Sequence, residues 1–216
     1  IIGSDEADEI AGLGGNDRMS LGQGGDTYVF RKGDGRDTYE DGGTDGATDT
    51  IRIEGYAADE VTFHRLGQDS DDLIIRFSGS DDAITIPDGL SGDADATIEV
   101  IEIADAGTTL GIAEITAAVL TALATQRDDE VAGTDDADVL TGGPGRDTID
   151  GRKGVDAYIY RAGDGADRFT DSSNQDGEGI DLPDFLPADV VSLTRSAADG
   201  DDLIVDFGDG DRLTVE

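Results

Sequence analysis

The sequence predicts an all-β protein: a parallel β-roll of nine-residue repeats with flanking β-strands, duplicated in tandem, with one short capping helix. Three observations support this prediction. A nine-residue pattern, with Asp in its sixth place and an apolar residue in its eighth, occurs four times in each of two blocks. The second block follows the first at a constant offset, since Asp138 lies 130 residues after Asp8. The tail after each block has strand-like apolar runs.

The pattern is clearest in residues 133–170. Written in nines, they read GTDDADVLT, GGPGRDTID, GRKGVDAYI and, after a two-residue insertion, AGDGADRFT. The sixth places are Asp138, Asp147, Asp156 and Asp167. The eighth places are Leu140, Ile149, Tyr158 and Phe169. Composition alone also fits a disordered acidic tail, but such a tail does not place apolar residues at a fixed period.

Residues 3–40 form the earlier block. They read GSDEADEIA, GLGGNDRMS, LGQGGDTYV and, after an insertion at the same point, KGDGRDTYE. The sixth places are Asp8, Asp17, Asp26 and Asp37, and the eighth places are Ile10, Met19, Tyr28 and Tyr39. Because the insertion recurs as well as the repeats, we infer an internal duplication.

The tails continue the duplication and set the predicted domains. The motif DDLI at residues 71–74 recurs at residues 201–204. We predict a first unit over residues 1–130, with its roll at 3–40, flanking strands at about 49–103 and a capping helix at about 112–125. Residues 126–132 are predicted to be a linker. The second unit, 131–216, has its roll at 133–170 and flanking strands at about 180–216. We expect its cap to lie outside this chain, and this unit to depend on a neighbour.

The charge points to cations as partners. The chain has 51 acidic and 15 basic residues, a formal net charge of −36. Such a surface repels itself and does not suit nucleic acid, which requires clustered Lys and Arg. A saline habitat is a second explanation for the acidity. The single His and the absence of Cys exclude a zinc cluster, and no apolar run is long enough to span a membrane. We expect no enzymatic activity.

The repeat geometry indicates a site for a hard cation. A nonapeptide supplies a six-residue turn and a three-residue strand, so two repeats make one coil and side chains stack every second repeat at about 4.8 Å. The same-side partners are then Asp8 with Asp26, Asp17 with Asp37, Asp138 with Asp156, and Asp147 with Asp167. Carboxylates beside turn carbonyls match the six to eight oxygens that Ca²⁺ prefers.

The predicted metal ligands are these eight aspartates and the backbone of seven turn glycines. The glycines are Gly14, Gly24, Gly35, Gly143, Gly145, Gly154 and Gly165. Four aspartates beyond the last full repeats are additional candidates, namely Asp41, Asp49, Asp171 and Asp181. The opening repeats carry acids where glycine is usual, so we expect the first coil of each block to bind weakly or only to cap the roll.

Both blocks resemble the RTX (repeats-in-toxin) haemolysin-type calcium-binding repeats, and the tails resemble the β-roll-flanking domain that follows such repeats. The resemblance implies a calcium-binding, non-enzymatic module of a larger secreted protein, exported by a type I pathway. The physical hypothesis is a chain that is unfolded at low cytosolic calcium and folds in millimolar calcium outside the cell. Two alternatives remain open: a carbohydrate- or partner-binding module, and an adhesin spacer stiffened by calcium.

Overall fold

The computed structural model describes residues 1–40, 45–67, 70–91, 98–170, 179–196 and 202–216. It divides the chain into two compact units, Ile1–Val119 and Leu120–Glu216. This division lies before the predicted boundary at residues 130 and 131. Parallel strand pairs outnumber antiparallel pairs among the described strands of both units, so the predicted all-β parallel roll is confirmed.

The repeat strands of the first unit alternate between two sheets. Its described strands are β1 Glu9–Ile10, β2 Arg18–Ser20, β3 Thr27–Arg31, β4 Arg36–Glu40, β5 Thr50–Glu54, β6 Val61–Arg65, β7 Leu73–Phe77, β8 Ala83–Ile86, β9 Val100–Ile103 and β10 Thr108–Gly111. One sheet has the order β1-β3-β5-β9-β10 and the other β2-β4-β8-β7-β6. Consecutive repeats therefore supply opposite sheets, as in a roll.

The second unit repeats this arrangement. Its described strands are β11 Glu130–Ala132, β12 Val139–Leu140, β13 Thr148–Asp150, β14 Ala157–Ile159, β15 Ala166–Thr170, β16 Gly179–Asp181, β17 Ser192–Arg195, β18 Leu203–Gly208 and β19 Asp211–Val215. The sheets have the orders β11-β13-β15-β19-β18-β17 and β12-β14-β16. The prediction of a linker over residues 126–132 is wrong, because β11 pairs in parallel with β13.

The eighth-place side chains form the centre of each roll. They point inward because alternate residues of a strand face opposite sides of the sheet. In the first unit Met19, Tyr28 and Tyr39 are fully buried, and Ile10 packs partly buried against them. The buried side chains at the equivalent places of the second unit are Leu140, Ile149, Tyr158 and Phe169. Aromatic rings meet within this apolar column, where Tyr158 stacks on Phe169 with ring centroids 4.9 Å apart.

The flanking strands return to the roll. β7 and β8 form an antiparallel hairpin, and β8 then pairs in parallel with β4. In the second unit β19 likewise pairs in parallel with β15. Each hairpin therefore ends by adding one more strand to a roll sheet.

The helix lies within its predicted bounds. α1 spans Ile112–Leu123 and follows directly after β10. Its residues Ile115 and Val119 are buried in the core of the first unit. Leu120 belongs to the core of the second unit, and Leu123 packs partly buried against that core.

Two glycines show why the turns require this residue. Gly35 and Gly165 have φ of 99° and 100°, which disfavours any side chain. A Cβ at Gly35 would also strike the carbonyl oxygen of Gly15, in the turn two repeats earlier. The turns thus stack in backbone contact, and Gly15 and Gly35 form a parallel bridge.

We expect Gly35→Ala to destabilise the first unit by about 1–3 kcal/mol more than Gly33→Ala. Gly33 has a similar φ of 95°, but a Cβ there would meet nothing within 4 Å. The control therefore carries the backbone strain without the clash. Urea unfolding in excess calcium measures the difference. Equal costs for the two variants would show that the stacked turns tolerate a side chain.

Candidate metal centre

The structure brings together each predicted same-side pair of aspartates. In every pair the backbone N–H of the earlier Asp donates to Oδ1 of the later one. The N···Oδ1 distances are 2.8 Å for Asp8–Asp26, 2.8 Å for Asp17–Asp37, 2.9 Å for Asp138–Asp156 and 2.9 Å for Asp147–Asp167. We call these rows of carboxylates the aspartate ladders. Their ligation of a metal ion stays a prediction.

Two ladders extend beyond the predicted repeats. The N–H of Asp26 donates to Oδ1 of Asp49 at 2.6 Å, and that of Asp49 donates to Oε2 of Glu99 at 2.7 Å. In the second unit the N–H of Asp129 donates to Oδ1 of Asp147 at 2.8 Å.

The sequence-based prediction missed Glu99 and Asp129, although a signal was present. Each acid precedes an apolar strand residue by two places, Ile101 and Val131 respectively. This is the spacing between the sixth and eighth places of a regular repeat, without the preceding glycines.

Burial makes the ladders electrostatically costly. Asp26, Asp37, Asp147 and Asp167 are each almost fully buried. Burial raises the pKa of Asp26, Asp37 and Asp147. Burial, with added repulsion from neighbouring aspartates, raises the pKa of Asp167 to about 7. Burial without a counter-ion therefore disfavours the charged form of these carboxyl groups.

Two ladder oxygens have no hydrogen-bond partner among the described residues. Oδ2 of Asp26 and Oδ2 of Asp147 are buried and accept no hydrogen bond, whereas Oδ1 of each is engaged in its ladder. A buried carboxylate oxygen without a donor costs free energy. A cation is the group that would satisfy both the charge and the lone pairs, so the residues present fit a bound metal ion.

Glycines keep the space beside these carboxylates open. A Cβ at Gly142 would lie 2.5 Å from Oδ2 of Asp147. A Cβ at Gly12 would lie 3.2 Å from Oδ2 of Asp17 and 3.3 Å from Oδ2 of Asp37. These glycines occupy the first place of their repeats and were not among the predicted ligands. Their lack of a side chain leaves space beside the carboxylate oxygens of the ladders.

The predicted ligand glycines fall into two groups. Positive φ angles occur at Gly24, Gly35, Gly143, Gly154 and Gly165, but not at Gly14 and Gly145. A Cβ at Gly145 would still lie 2.7 Å from Oδ1 of Asp147. The requirement for glycine thus arises from backbone conformation at five positions and from close approach at Gly145.

The opening repeats hold their carboxylates differently. Oδ2 of Asp8 accepts the N–H of Ser4 at 2.7 Å and its hydroxyl at 2.9 Å. These hydrogen bonds lower the pKa of Asp8. Oδ2 of Asp138 accepts the N–H of Thr134 at 2.5 Å and its hydroxyl at 3.0 Å. The oxygen that is free in Asp26 and Asp147 is therefore already engaged in the first coil.

Two further aspartates close the turns that contain the insertion. Asp82 accepts the N–H of Gly33 at 2.7 Å and of Gly35 at 3.2 Å. Asp211 accepts the N–H of Gly163 at 2.9 Å and of Gly165 at 3.1 Å. These residues were also missed, although each again precedes an apolar residue by two places.

The pKa of Asp82 shifts in the opposite direction from that of the buried ladder residues, because of its hydrogen bonds. Burial acts to raise the pKa of Asp82, but hydrogen bonds from Tyr56, Gly33, Ser80 and Gly35 together lower it. Its carboxylate is thus satisfied by the protein alone, unlike those of Asp26 and Asp147.

The four additional candidates have different positions. Asp49 is buried within a ladder. Asp181 is exposed on β16. Asp41 and Asp171 lie outside the described residues. In the described part of the chain, no three His, Cys, Asp or Glu side chains are grouped to hold a metal ion. The ladders place carboxylates in line, so an ion there would need backbone oxygens as well.

Comparison with known proteins identifies the repeats. Residues 1–28 and 123–158 match the family described as the RTX calcium-binding nonapeptide repeat, in four copies. The chain carries RTX repeats. The predicted resemblance is thereby confirmed, and RTX repeats of this family bind Ca²⁺.

A solved structure similar to this chain is that of the extracellular lipase LipA from Serratia marcescens, at 17% sequence identity and a TM-score of 0.37. The match covers 99% of this chain and 36% of the lipase chain. No curated protein matches. Among the described helical residues, none forms a helix long and apolar enough to cross a membrane.

Because burial raises the pKa of several ladder carboxyl groups, we expect the calcium-free protein to be more stable at pH 5 than at pH 8. A carboxyl group whose folded pKa is raised binds more protons when folded, so stability is lost as pH rises from the unfolded value toward the folded one. For Asp167 this window runs from 3.8 to about 7. Far-UV circular dichroism of the calcium-free chain between pH 5 and pH 8 measures the folded fraction across this window.

Asp167→Asn is expected to flatten this pH dependence, because the amide does not titrate. The exposed Asp189 provides the control, since Asp189→Asn makes the same charge change outside the ladder. If Asp167→Asn leaves the pH dependence of stability unaltered, the raised pKa of Asp167 is not its cause.

Proposed function

We propose that this calcium-binding repeat module belongs to a secreted protein and folds when Ca²⁺ neutralises the aspartate ladders outside the cell. The observation that carries the proposal is a pair of buried carboxylate oxygens, in Asp26 and Asp147, that have no hydrogen-bond partner among the residues that the structure describes. Each occurs in a different unit, in a row of stacked carboxylates.

Repulsion between neighbouring carboxylates opposes folding without the ion. Two charges at strand spacing repel by about 3 kcal/mol at an effective dielectric constant of about 20. The formal net charge of −36 adds long-range repulsion. The narrow apolar column must offset both effects, so folding depends on a counter-charge.

The proposed ligands are the carboxylate oxygens of the eight repeat aspartates, completed by carbonyl oxygens of the glycine-rich turns. Such a set favours Ca²⁺ over Mg²⁺, because Ca²⁺ accepts more oxygens in less regular geometry. Asp26 and Asp147 have the oxygens most clearly available. In the opening coils Asp8 and Asp138 contribute mainly to capping, because Ser4 and Thr134 already engage their Oδ2 atoms.

Calcium concentration then controls the folded population. Binding to the folded state alone stabilises it by RT ln(1 + [L]/Kd), about 4 kcal/mol per site at 1,000 times Kd. The ion is scarce in the cytosol and abundant outside, so the same chain would remain unfolded during export and fold afterwards. RTX repeats typically occur in secreted proteins, which supports this localisation. We propose the type I pathway as the route.

The module itself is assigned no reaction. In this proposal its role is to couple calcium binding to folding, and any effector activity belongs to another part of a larger secreted protein. Binding of a saccharide by the tail strands would be independent of the ladders, which gives this alternative a distinct experimental outcome.

The double variant Asp17→Asn and Asp147→Asn removes one ladder carboxylate from each unit. We expect the calcium concentration at half-maximal folding to rise about tenfold, equivalent to about 1.4 kcal/mol. A calcium titration followed by circular dichroism, with calcium binding measured by equilibrium dialysis, gives the midpoint and the number of ions bound.

The matched control is the double variant Asp59→Asn and Asp189→Asn. These residues are exposed, lie 130 apart like the ladder pair, and change the net charge equally. An unchanged midpoint in the ladder variant would remove Asp17 and Asp147 from the site. Saccharide binding that survives the ladder variant would favour the carbohydrate-binding alternative.

A further inference from the structure

Duplicated apolar residues are buried in the first unit and exposed in the second. The exposed fractions are 7% for Val61 and 70% for Val191, 8% for Phe63 and 63% for Leu193, and 1% for Leu73 and 40% for Leu203. Ile51 and Ile180 pair with the equivalent residues Tyr28 and Tyr158, and their exposed fractions are 0% and 40%. We call Ile180, Val191, Leu193 and Leu203 the uncovered face.

The strand orders explain this difference. Among the described residues, a sheet of five strands accompanies another of five in the first unit, whereas a sheet of six accompanies one of three in the second. The sheet with three strands ends at β16, which pairs only with β14 among the described strands. β17 and part of β18 therefore extend past the last strand of the other sheet.

The first unit shows what covers the equivalent residues. There β9 pairs in parallel with β5, with Ile101 beside Ile51 and Ile103 beside Ile53. The core that contains Val61, Phe63 and Leu73 also contains residues from β9, from α1 and from the segments before them. The additional buried side chains are Leu90, Ile98, Ile101, Ile103, Ile115 and Val119.

We propose that the uncovered face binds a polypeptide segment with the chemistry of residues 98–119. The segment would supply a strand with alternating isoleucines, which pairs in parallel with β16, and then an amphipathic helix. The β16 edge provides main-chain hydrogen-bond groups, and the four apolar side chains provide the contact area. A second copy of the chain is a poorer occupant, because two chains with a net charge of −36 repel each other.

The direct test adds a synthetic peptide of residues 98–123 to the full chain in saturating calcium. At a peptide concentration ten times its Kd, hydrogen exchange of the β16 amides should slow about tenfold. A peptide carrying Ile101→Asp and Ile103→Asp should have no effect. Calcium binding is measured separately, so failure here leaves the proposed calcium function untouched.

Two variants of the full chain localise the interaction. Leu193→Asp should abolish the protection of β16. Val139→Asp should leave it intact, because Val139 is also exposed but lies on β12, outside the uncovered face. Absence of protection with the unmodified peptide would overturn the proposal. So would a concentration-dependent dimer that Leu193→Asp abolishes, since a second copy would then occupy the face.

Discussion

The hydrogen bond between the backbone of one aspartate and the carboxylate of the aspartate two repeats later is the constraint on which both units depend. It aligns consecutive coils, as in the 2.8 Å contact from Asp8 to Asp26. It also fixes like charges at strand spacing, and it leaves Oδ2 of Asp26 and of Asp147 without a hydrogen-bond partner in the described part of the chain. The interaction that defines the roll therefore creates the need for a cation, so fold and calcium binding share one cause.

The flanking strands end the roll after its last repeat. A regular repeat could add coils indefinitely, but β8 and β19 return from antiparallel hairpins to complete one sheet. Asp82 and Asp211 close the adjoining turns with oxygens that the protein satisfies by itself. The two units differ in the sheet that the hairpin does not join. In the first unit β9 continues that sheet beyond β5.

The sequence predicted the features that depend on regular spacing. The Asp and apolar places, the same-side pairs and the helix near residues 112–125 all follow from period alone. It offered Asp49 as a candidate but did not reveal Glu99, Asp129, Asp82 or Asp211, because the residues before these acids do not follow the glycine spacing of a regular repeat. Contacts between residues as distant as Asp49 and Glu99 depend on tertiary pairing. The exposure of Val191 likewise depends on which strands oppose it.

Far-UV circular dichroism of the full chain at neutral pH, in excess EGTA and then in millimolar calcium, tests the central claim most directly. The account predicts a largely disordered spectrum in EGTA, a gain of β signal on adding calcium and its loss when chelator is restored. An equal ionic strength of potassium chloride should not replace calcium. A chain that remains folded in excess EGTA, with no calcium-dependent change in β signal, would contradict the dependence of the fold on the ion.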